Sequence, residues 1–440
     1  MKITGKVKKE TVEAGELKKY IGETVKVHGS IYKIRKMSDF AFLLLRTKRV
    51  LVQCIYVERT VKYPLEELAE ESCVILTAFV QEEERSKKGY DLLIQKVEVL
   101  SRPKFHSPIV INQKRVDTSM ENLLDYRPIT LRNEKERAIF KIQEGIVDGI
   151  RAFLKGEYFT EIRTPKIVYA GAEGGANIFH MDYFGKDAYL AQSPQFYKQM
   201  MVGVYERVFE IAAVYRAEKH DTSRHLNEYT SVDFEMGYIE GFEEIMETET
   251  RMLRFVIEYL KENNAPEIQL LKVKLPVVNE IPAIKFMDAK ELVAKEYHRE
   301  ISDYLDFEPE EEKLLCKWFK ENTESDFVFV THYPSKKRPF YAKDSEENEE
   351  ETLSFDLLFR GLEITTGGQR IHSYDEQIEK MKKREMDITQ FESYLMMHQY
   401  GMPPHGGLGL GLERFTSRLL EQENVRLSTL FPRDISRLIP

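Results

Sequence analysis

The sequence predicts a mixed α+β chain in two parts: a small β-barrel, then a large body built on a mostly antiparallel sheet flanked by helices. Three observations lead there. From Thr24 to Arg102, short apolar runs alternate with polar residues at the period of strands. From Ile139 the period changes, with Ile139, Ile142, Ile146, Ile150 and Phe153 recurring at three- and four-residue steps. Beyond that helix, strand-like runs and helices follow at long, unequal spacing, unlike the regular βαβ repeat of a parallel sheet.

In the first part, Val25 and Val27 open one strand, and residues 40–45, 50–57, 73–80 and 90–100 form four more. The charged segment 82–88, closed by Gly89, reads as a hairpin tip. One helical connection falls around 65–71. Five strands and one helix in about 80 residues fit an OB-fold, a barrel that commonly binds oligonucleotides; another small barrel or sandwich fits the same pattern. Residues 102–133 contain Pro103, Pro108 and Pro128 with little periodicity, the marks of a linker. The expected division is 1–105, a barrel; 106–133, a hinge; and 134–440, the body. In the body, strands are expected at 188–191, 208–215, 229–238, 354–364 and 407–412, and helices at 242–263 and 374–383. The acidic run 344–351 reads as a solvated loop.

Composition narrows the class. Apolar residues make up 42% of the 440 and charged residues 32%, enough for a large core. The net charge of −9 argues against nucleic acid, but it is uneven. Residues 1–105 carry 21 Lys and Arg against 15 Asp and Glu; the rest carries 44 against 59. A basic front joined to an acidic body is hidden by the whole-chain sum. Three widely spaced cysteines (Cys54, Cys73 and Cys316) make neither a disulfide framework nor a CxxC zinc site, and suit a reducing cytoplasm. No apolar stretch has the ~20 residues of a membrane span, and the N-terminus has no apolar signal core.

The P-loop, the dinucleotide GxGxxG after a strand, HExxH and GxSxG are all absent from the sequence. Three other segments stand out. One is the amphipathic helix with the short strand that ends at Pro165. The second runs from Val208 through Arg216 and Glu218 to Arg224, His225, Tyr229, Asp233 and Glu235. It reads as a hairpin with two arginines and a histidine near its tip, able to hold a polyphosphate. Glu218 offers an acceptor for an exocyclic amine and Tyr229 a stacking face. The third runs from Gly406 to Arg414, with four glycines that leave bare backbone for something flat. Each alone has an ordinary explanation: a surface salt-bridge ladder, or a bend.

Together and in this order, the three segments resemble the signature motifs of the class II aminoacyl-tRNA synthetases. The stretches between narrow the resemblance. Ala191-Gln-Ser-Pro-Gln-Phe-Tyr-Lys-Gln199, Ser354-Phe-Asp356, Gly361-Leu-Glu363, Gly367-Gly-Gln-Arg370 and Gly401-Met-Pro-Pro-His-Gly-Gly407 are similar to the aspartyl-tRNA synthetases of archaeal and eukaryotic type. The likeness runs from about residue 20 to the C-terminal Phe431-Pro-Arg-Asp434 and Arg437-Leu-Ile-Pro440.

The resemblance implies a class II catalytic domain over 134–440, an anticodon-binding OB-fold before it, and the following roles. Arg216 and Arg414 are the catalytic cations. Arg216 contacts the ATP α-phosphate, Glu218 the adenine amine and Tyr229 the ring. Arg224 and His225 face the β- and γ-phosphates, with Leu226, Glu363 and Gly411 also against ATP and Arg414 on its far side. Asp356 and Glu363 hold Mg²⁺, for which hard oxygen ligands are suited. Lys198 and Arg370 bind the aspartate side chain and Asp233 its ammonium. Ser193, Gln195 and Thr366 complete that pocket, and Glu173 lies in a glycine-rich lid. Asparaginyl relatives lack a lysine at the position of Lys198. In the barrel, Phe42 stacks on the central anticodon base and Gln53 hydrogen-bonds it. From the residues alone, Phe42 reads as core and Gln53 as a surface strand residue. The implied partners are L-aspartate, tRNA(Asp) and a second copy of the chain, with Pro165 and its helix at the dimer interface. Two departures, Ser30 where relatives carry Trp and Gln95 where they often carry Glu, leave tRNA(Asn) open as a second substrate.

Overall fold

A computed structural model describes residues 10–439 except 49, 170–176 and 220. The chain forms two compact units, Met1–Asp117 and Thr118–Pro440. The boundary falls inside the stretch read as a linker. That stretch also holds two short helices, Met120–Asp125 and Arg127–Thr130, the first capped by the Ser119 side chain.

The first unit is a closed five-stranded barrel of strands β1 (Thr24–Lys36), β2 (Phe40–Arg46), β3 (Leu51–Val57), β4 (Cys73–Glu82) and β5 (Tyr90–Ser101). Its order is β1-β2-β3-β5-β4, with β4 returning to β1. This is the OB-type barrel expected from the strand pattern. Alternate residues fill the inside: Val25, Val27, Leu43, Leu45, Val52, Cys54, Val74, Leu76, Leu92 and Ile94 are all buried in one core. The connection after β3 is a short 3₁₀ turn, Leu65–Glu67.

The second unit adds strands β6 (Thr160–Glu161), β7 (Ile167–Val168), β8 (His180–Tyr183), β9 (Lys186–Leu190), β10 (Arg207–Tyr215), β11 (Glu228–Gly237), β12 (Ala283–Lys285), β13 (Phe327–Thr331), β14 (Ser354–Phe359), β15 (Leu362–Arg370) and β16 (His405–Gly411). Eight of them form one sheet, ordered β12-β13-β14-β15-β16-β11-β10-β6. Only the pairs β12/β13 and β6/β10, one at each edge, are parallel. Strands β7, β9 and β8 form a separate small sheet. The run 354–364 is a hairpin rather than one strand, turning at Arg360 and Gly361, both with positive φ.

The two faces of the sheet differ. On β11, Val232, Phe234 and Met236 point to one side and Ser231, Asp233 and Glu235 to the other, as period two requires. The apolar side packs on the helices Glu134–Gly156 and Glu243–Asn263 through Ile142, Ile146, Ile150, Met252, Val256 and Leu260. Asn133 caps the first of these helices. The helices approach so closely at Gly145 that a Cβ there would lie 2.2 Å from Asn264 Oδ1 and 2.8 Å from a Leu260 methyl. The acidic run 344–351 is only partly solvated: Lys380 and Ser335 both hold Asp344, at 2.7 Å.

Candidate active site

The polar face of the sheet forms the floor of a cavity of about 460 Å³. Its lining brings together Ser193, Gln195, Lys198, Arg216, Glu218, Arg224, His225, Leu226, Tyr229, Asp233, Asp356, Glu363, Thr366, Arg370, Gly411 and Arg414, residues up to about 220 positions apart in sequence. Glu173 lies outside the described residues. Phe42 and Gln53 lie in the other unit, the barrel.

One end of the cavity is a buried charge array. The helix Gln195–Tyr205 carries Lys198, which is 1% exposed. Its Nζ donates to Asp233 Oδ1 at 3.0 Å and to the Leu408 carbonyl at 2.8 Å, and lies 3.2 Å from Glu235 Oε2. Arg370 Nε donates to Glu235 Oε1 at 2.9 Å, and its Nη2 to the Gly407 carbonyl at 2.9 Å. Two cations therefore share two carboxylates with little water. Burial alone would raise the Glu235 carboxyl, but Arg370 and Lys198 outweigh it and hold Glu235 below the usual carboxylate range. Glycine is required at 407 for this packing, since a Cβ would lie 2.1 Å from the Phe234 carbonyl and 2.3 Å from Glu235 Oε2. Beside the array, the Nε2 of Gln195 is buried with no hydrogen-bond partner among the described residues. Buried donors are almost always paired, and Gln195 lines the cavity, so an acceptor on a bound ligand would satisfy this one.

The other end is the β10–β11 hairpin. Asn227 closes its loop by donating to the carbonyls of Arg216 at 2.7 Å and Glu218 at 2.9 Å. The Arg216 guanidinium lies 5.9 Å from the centre of the Tyr229 ring and 3.8 Å from Glu218. His225 and Glu218 are 3.9 Å apart. Arg224 makes two 2.7 Å bonds to Glu312, on the helix Pro309–Thr323. So anchored, Arg224 still lines the cavity. Arg414 then donates to the Arg224 carbonyl at 3.3 Å and to the Glu363 carbonyl at 3.1 Å.

Between the two ends stand Asp356 and Glu363. A register shift between Leu357 and Leu358 leaves Ile364 without a partner. The bulge re-aims the segment, and both carboxylates line the cavity. Burial and the neighbouring Glu363 charge push the Asp356 carboxyl up to about 6, against the pull of Arg338. Arg338 sits 2.8 Å from Asp356 and stacks on the Tyr333 ring at 3.9 Å. Arginines 414, 338, 224 and 216 outweigh burial at Glu363 and hold it low. Among the described residues, no group of three or more His, Cys, Asp or Glu could hold a metal alone. A cation here would need oxygens from a bound substrate.

Sequence reasoning assigned no role to Glu235, Glu312 or Arg338. Glu235 was within reach: it stands two residues after Asp233 on a strand, hence on the same face. Glu312 and Arg338 come from a helix and a loop far along the chain and carry no local signal.

Comparison with known proteins gives one family. The family model for class II tRNA synthetases (D, K and N) matches residues 119–435. A Deinococcus radiodurans protein named aspartate--tRNA(Asp/Asn) ligase is 47% identical, covering 97% of this chain and 98% of its own. A Pyrococcus horikoshii protein named aspartate--tRNA(Asp) ligase is 39% identical over 95% and 97%. Among solved structures, asparaginyl-tRNA synthetase from Pyrococcus horikoshii with asparaginyl-adenylate has a TM-score of 0.91 at 29% identity, covering 98% of this chain and all of the other. Aspartyl tRNA synthetase from Entamoeba histolytica has a TM-score of 0.86 at 27% identity, covering 99% and 94%. With the OB-type barrel, the antiparallel sheet and the cavity on its polar face, this chain belongs to the class II tRNA synthetases of the D, K and N group.

Proposed function

We propose that this chain is an aspartate–tRNA ligase, joining L-aspartate to tRNA(Asp) and also to tRNA(Asn). The observation that carries the choice of amino acid is the buried pair Lys198 and Arg370, facing Asp233 and Glu235 at one end of the cavity. A second carboxylate on the substrate finds two fixed cations there, Arg370 in a planar fork. A neutral asparagine side chain would not match the charge that Lys198 supplies, a mismatch that is costly out of water. Asp233 receives the substrate ammonium, while Ser193, Gln195 and Thr366 add neutral hydrogen bonds.

In this reading ATP lies along the β10–β11 hairpin. Glu218 accepts from the adenine amine, Tyr229 and Arg414 flank the nucleotide, Leu226 and Gly411 line its bed, and Arg216 meets the α-phosphate. Arg224, anchored by Glu312, and His225 face the outer phosphates. The aspartate α-carboxylate oxygen attacks the α-phosphorus. The bond from that phosphorus to the bridging oxygen breaks, giving aspartyl-adenylate and pyrophosphate. The attacking carboxylate is already ionised, so no protein base is needed. The protein supplies in-line placement and charge from Arg216 and Arg414. Asp356 and Glu363 are hard oxygen donors that line the cavity, and fit a Mg²⁺ that would take its other ligands from phosphate and water. When bound, Mg²⁺ neutralises the polyphosphate. The terminal 3′-hydroxyl of the tRNA then attacks the adenylate carbonyl and releases AMP.

The barrel reads the anticodon through Phe42 and Gln53. The face they share carries Lys33 and Arg35 on β1, with Arg35 opposite Phe42 and Lys33 opposite Leu44. Basic and aromatic residues on one open strand face suit a single-stranded nucleic acid. Acceptance of tRNA(Asn) is supported by Ser30, by Gln95, which turns to Thr24, and by the double tRNA name of the Deinococcus relative. A homodimer is supported by β6, the strand at one edge of the sheet, and by the exposed Tyr158, Ile167 and Tyr169 close to it in sequence. No helix of the described residues is long and apolar enough to cross a membrane, and the three cysteines are free, as suits a cytoplasmic enzyme. Separate charging of tRNA(Asp) and tRNA(Asn) transcripts tests the double specificity. Both should accept aspartate; charging of tRNA(Asp) alone would reduce the reading to one tRNA.

A further inference from the structure

We propose that Asp91 locks the side-chain amide of Gln53 in one orientation, so that the barrel reads the central anticodon nucleotide in a single donor–acceptor order. The inference rests on the reading of Gln53 as an anticodon contact. Strands β3 and β5 run parallel, with Cys54 opposite Leu92 and Ile55 opposite Leu93. Cys54 and Leu92 both point into the barrel core. The residues just before them, Gln53 and Asp91, therefore stand side by side on the side of the strands that points away from the core, Gln53 partly exposed and Asp91 covered. Gln53 Nε2 donates to Asp91 Oδ2 at 3.0 Å.

An ionised carboxylate only accepts hydrogen bonds. Asp91 can therefore hold the NH₂ end of the amide and not the oxygen end. Gln53 is left with one acceptor and one remaining N–H in fixed places. That matters because the Watson–Crick edges of uracil and cytosine differ by an exchange of donor and acceptor at adjacent positions. An amide free to turn over serves either base, and a locked amide serves one. The Asp and Asn codons share a central adenosine, so both anticodons have uridine in the middle. A lock on uridine would thus suit both tRNAs. Asp91 is also placed at a cost to the barrel: it is 3% exposed, and its Oδ1 is buried with no hydrogen-bond partner among the described residues. Phe42, T-shaped against Phe40 at 5.1 Å, lies on the same face and would fix the height of the base.

The test compares charging of tRNA(Asp) transcripts with U or C at the central anticodon position. Asp91→Asn keeps the shape but can donate as well as accept, so the lock loses its direction. Its U-over-C ratio in kcat/KM should fall roughly tenfold, the size of one bidentate base contact. Asp91→Glu keeps an accept-only partner and should retain more of the ratio. Aspartate-dependent pyrophosphate exchange by Asp91→Asn should match wild type, which reports a folded enzyme. Gln53→Ala separates the two claims. If Gln53→Ala loses the ratio and Asp91→Asn keeps it, the lock is overturned and the anticodon contact stands. If Gln53→Ala keeps the ratio, both fall. Equal loss in Asp91→Asn and Asp91→Glu would mark Asp91 as structural only and overturn the lock.

Discussion

Lys198 Nζ lies 3.0 Å from Asp233 Oδ1 at a place almost closed to water. The proposed amino-acid pocket is thus charged and self-neutralised before any substrate arrives. Lys198→Leu leaves Asp233 and Glu235 with only Arg370 for compensation. Removing one partner of a buried ion pair costs about 3–5 kcal/mol. Aspartate-dependent pyrophosphate exchange should fall by at least a hundredfold, with a lower melting temperature. Exchange at the wild-type rate would place the amino acid elsewhere.

Two glycines on β16 separate fold from binding. A Cβ at position 407 would overlap the Phe234 carbonyl and Glu235. Gly407→Ala should lower stability by about 1–3 kcal/mol or more, seen in thermal melting. At position 409 the nearest contact is Asp233 Oδ1, at 3.1 Å on the cavity side. Gly409→Ala should melt close to wild type and raise the KM for aspartate.

The Glu312 anchor yields a prediction about ATP alone. Glu312→Ala removes both 2.7 Å bonds that hold Arg224. The KM for ATP in pyrophosphate exchange should rise, on the order of tenfold, for one charge-assisted contact. The KM for aspartate should change little. Equal rises in both would mean that Glu312 supports the whole cavity.

Glu249 supplies a pH dependence of stability. It is fully buried beneath the sheet, and its Oε1 accepts from Thr365 Oγ1 at 2.6 Å. Burial, with Asp356 adding to it, pushes its carboxyl up to about 8. The folded state therefore keeps a proton that the unfolded chain releases near 4.5, the ordinary value. Stability from this group falls as pH rises from about 4.5 to about 8, and is flat outside that window. Glu249→Gln keeps an acceptor for Thr365 and removes the titration. Its melting temperature relative to wild type should climb from pH 5 to pH 8. A constant difference across that range would show that Glu249 does not titrate there.

Much of this architecture was legible in the sequence, for reasons visible in particular elements. The barrel strands show one buried and one open face, and their alternation marks them. The helix Glu134–Gly156 shows its buried stripe in the same way. Strand β13 is different: all five residues from Phe327 to Thr331 are buried, so no alternation marks it. The helices Phe286–Tyr297 and Pro309–Thr323, which pack beside it, were missed with it. In the cavity, the hairpin and glycine motifs are contiguous in sequence and were readable. The anchors of those motifs were not. Arg224 meets Glu312 across 88 residues and Arg370 meets Glu235 across 135. Only the folded sheet brings such pairs together. The seven-residue step from Asp356 to Glu363 was visible, but the hairpin and bulge that place both in one cavity were not.

The central claim is that the buried cations select a second carboxylate. Pyrophosphate exchange into ATP, measured with aspartate and with asparagine as the only amino acid, tests it most directly. The account predicts exchange with aspartate and a rate with asparagine lower by orders of magnitude. Exchange with asparagine equal to or above that with aspartate would contradict it.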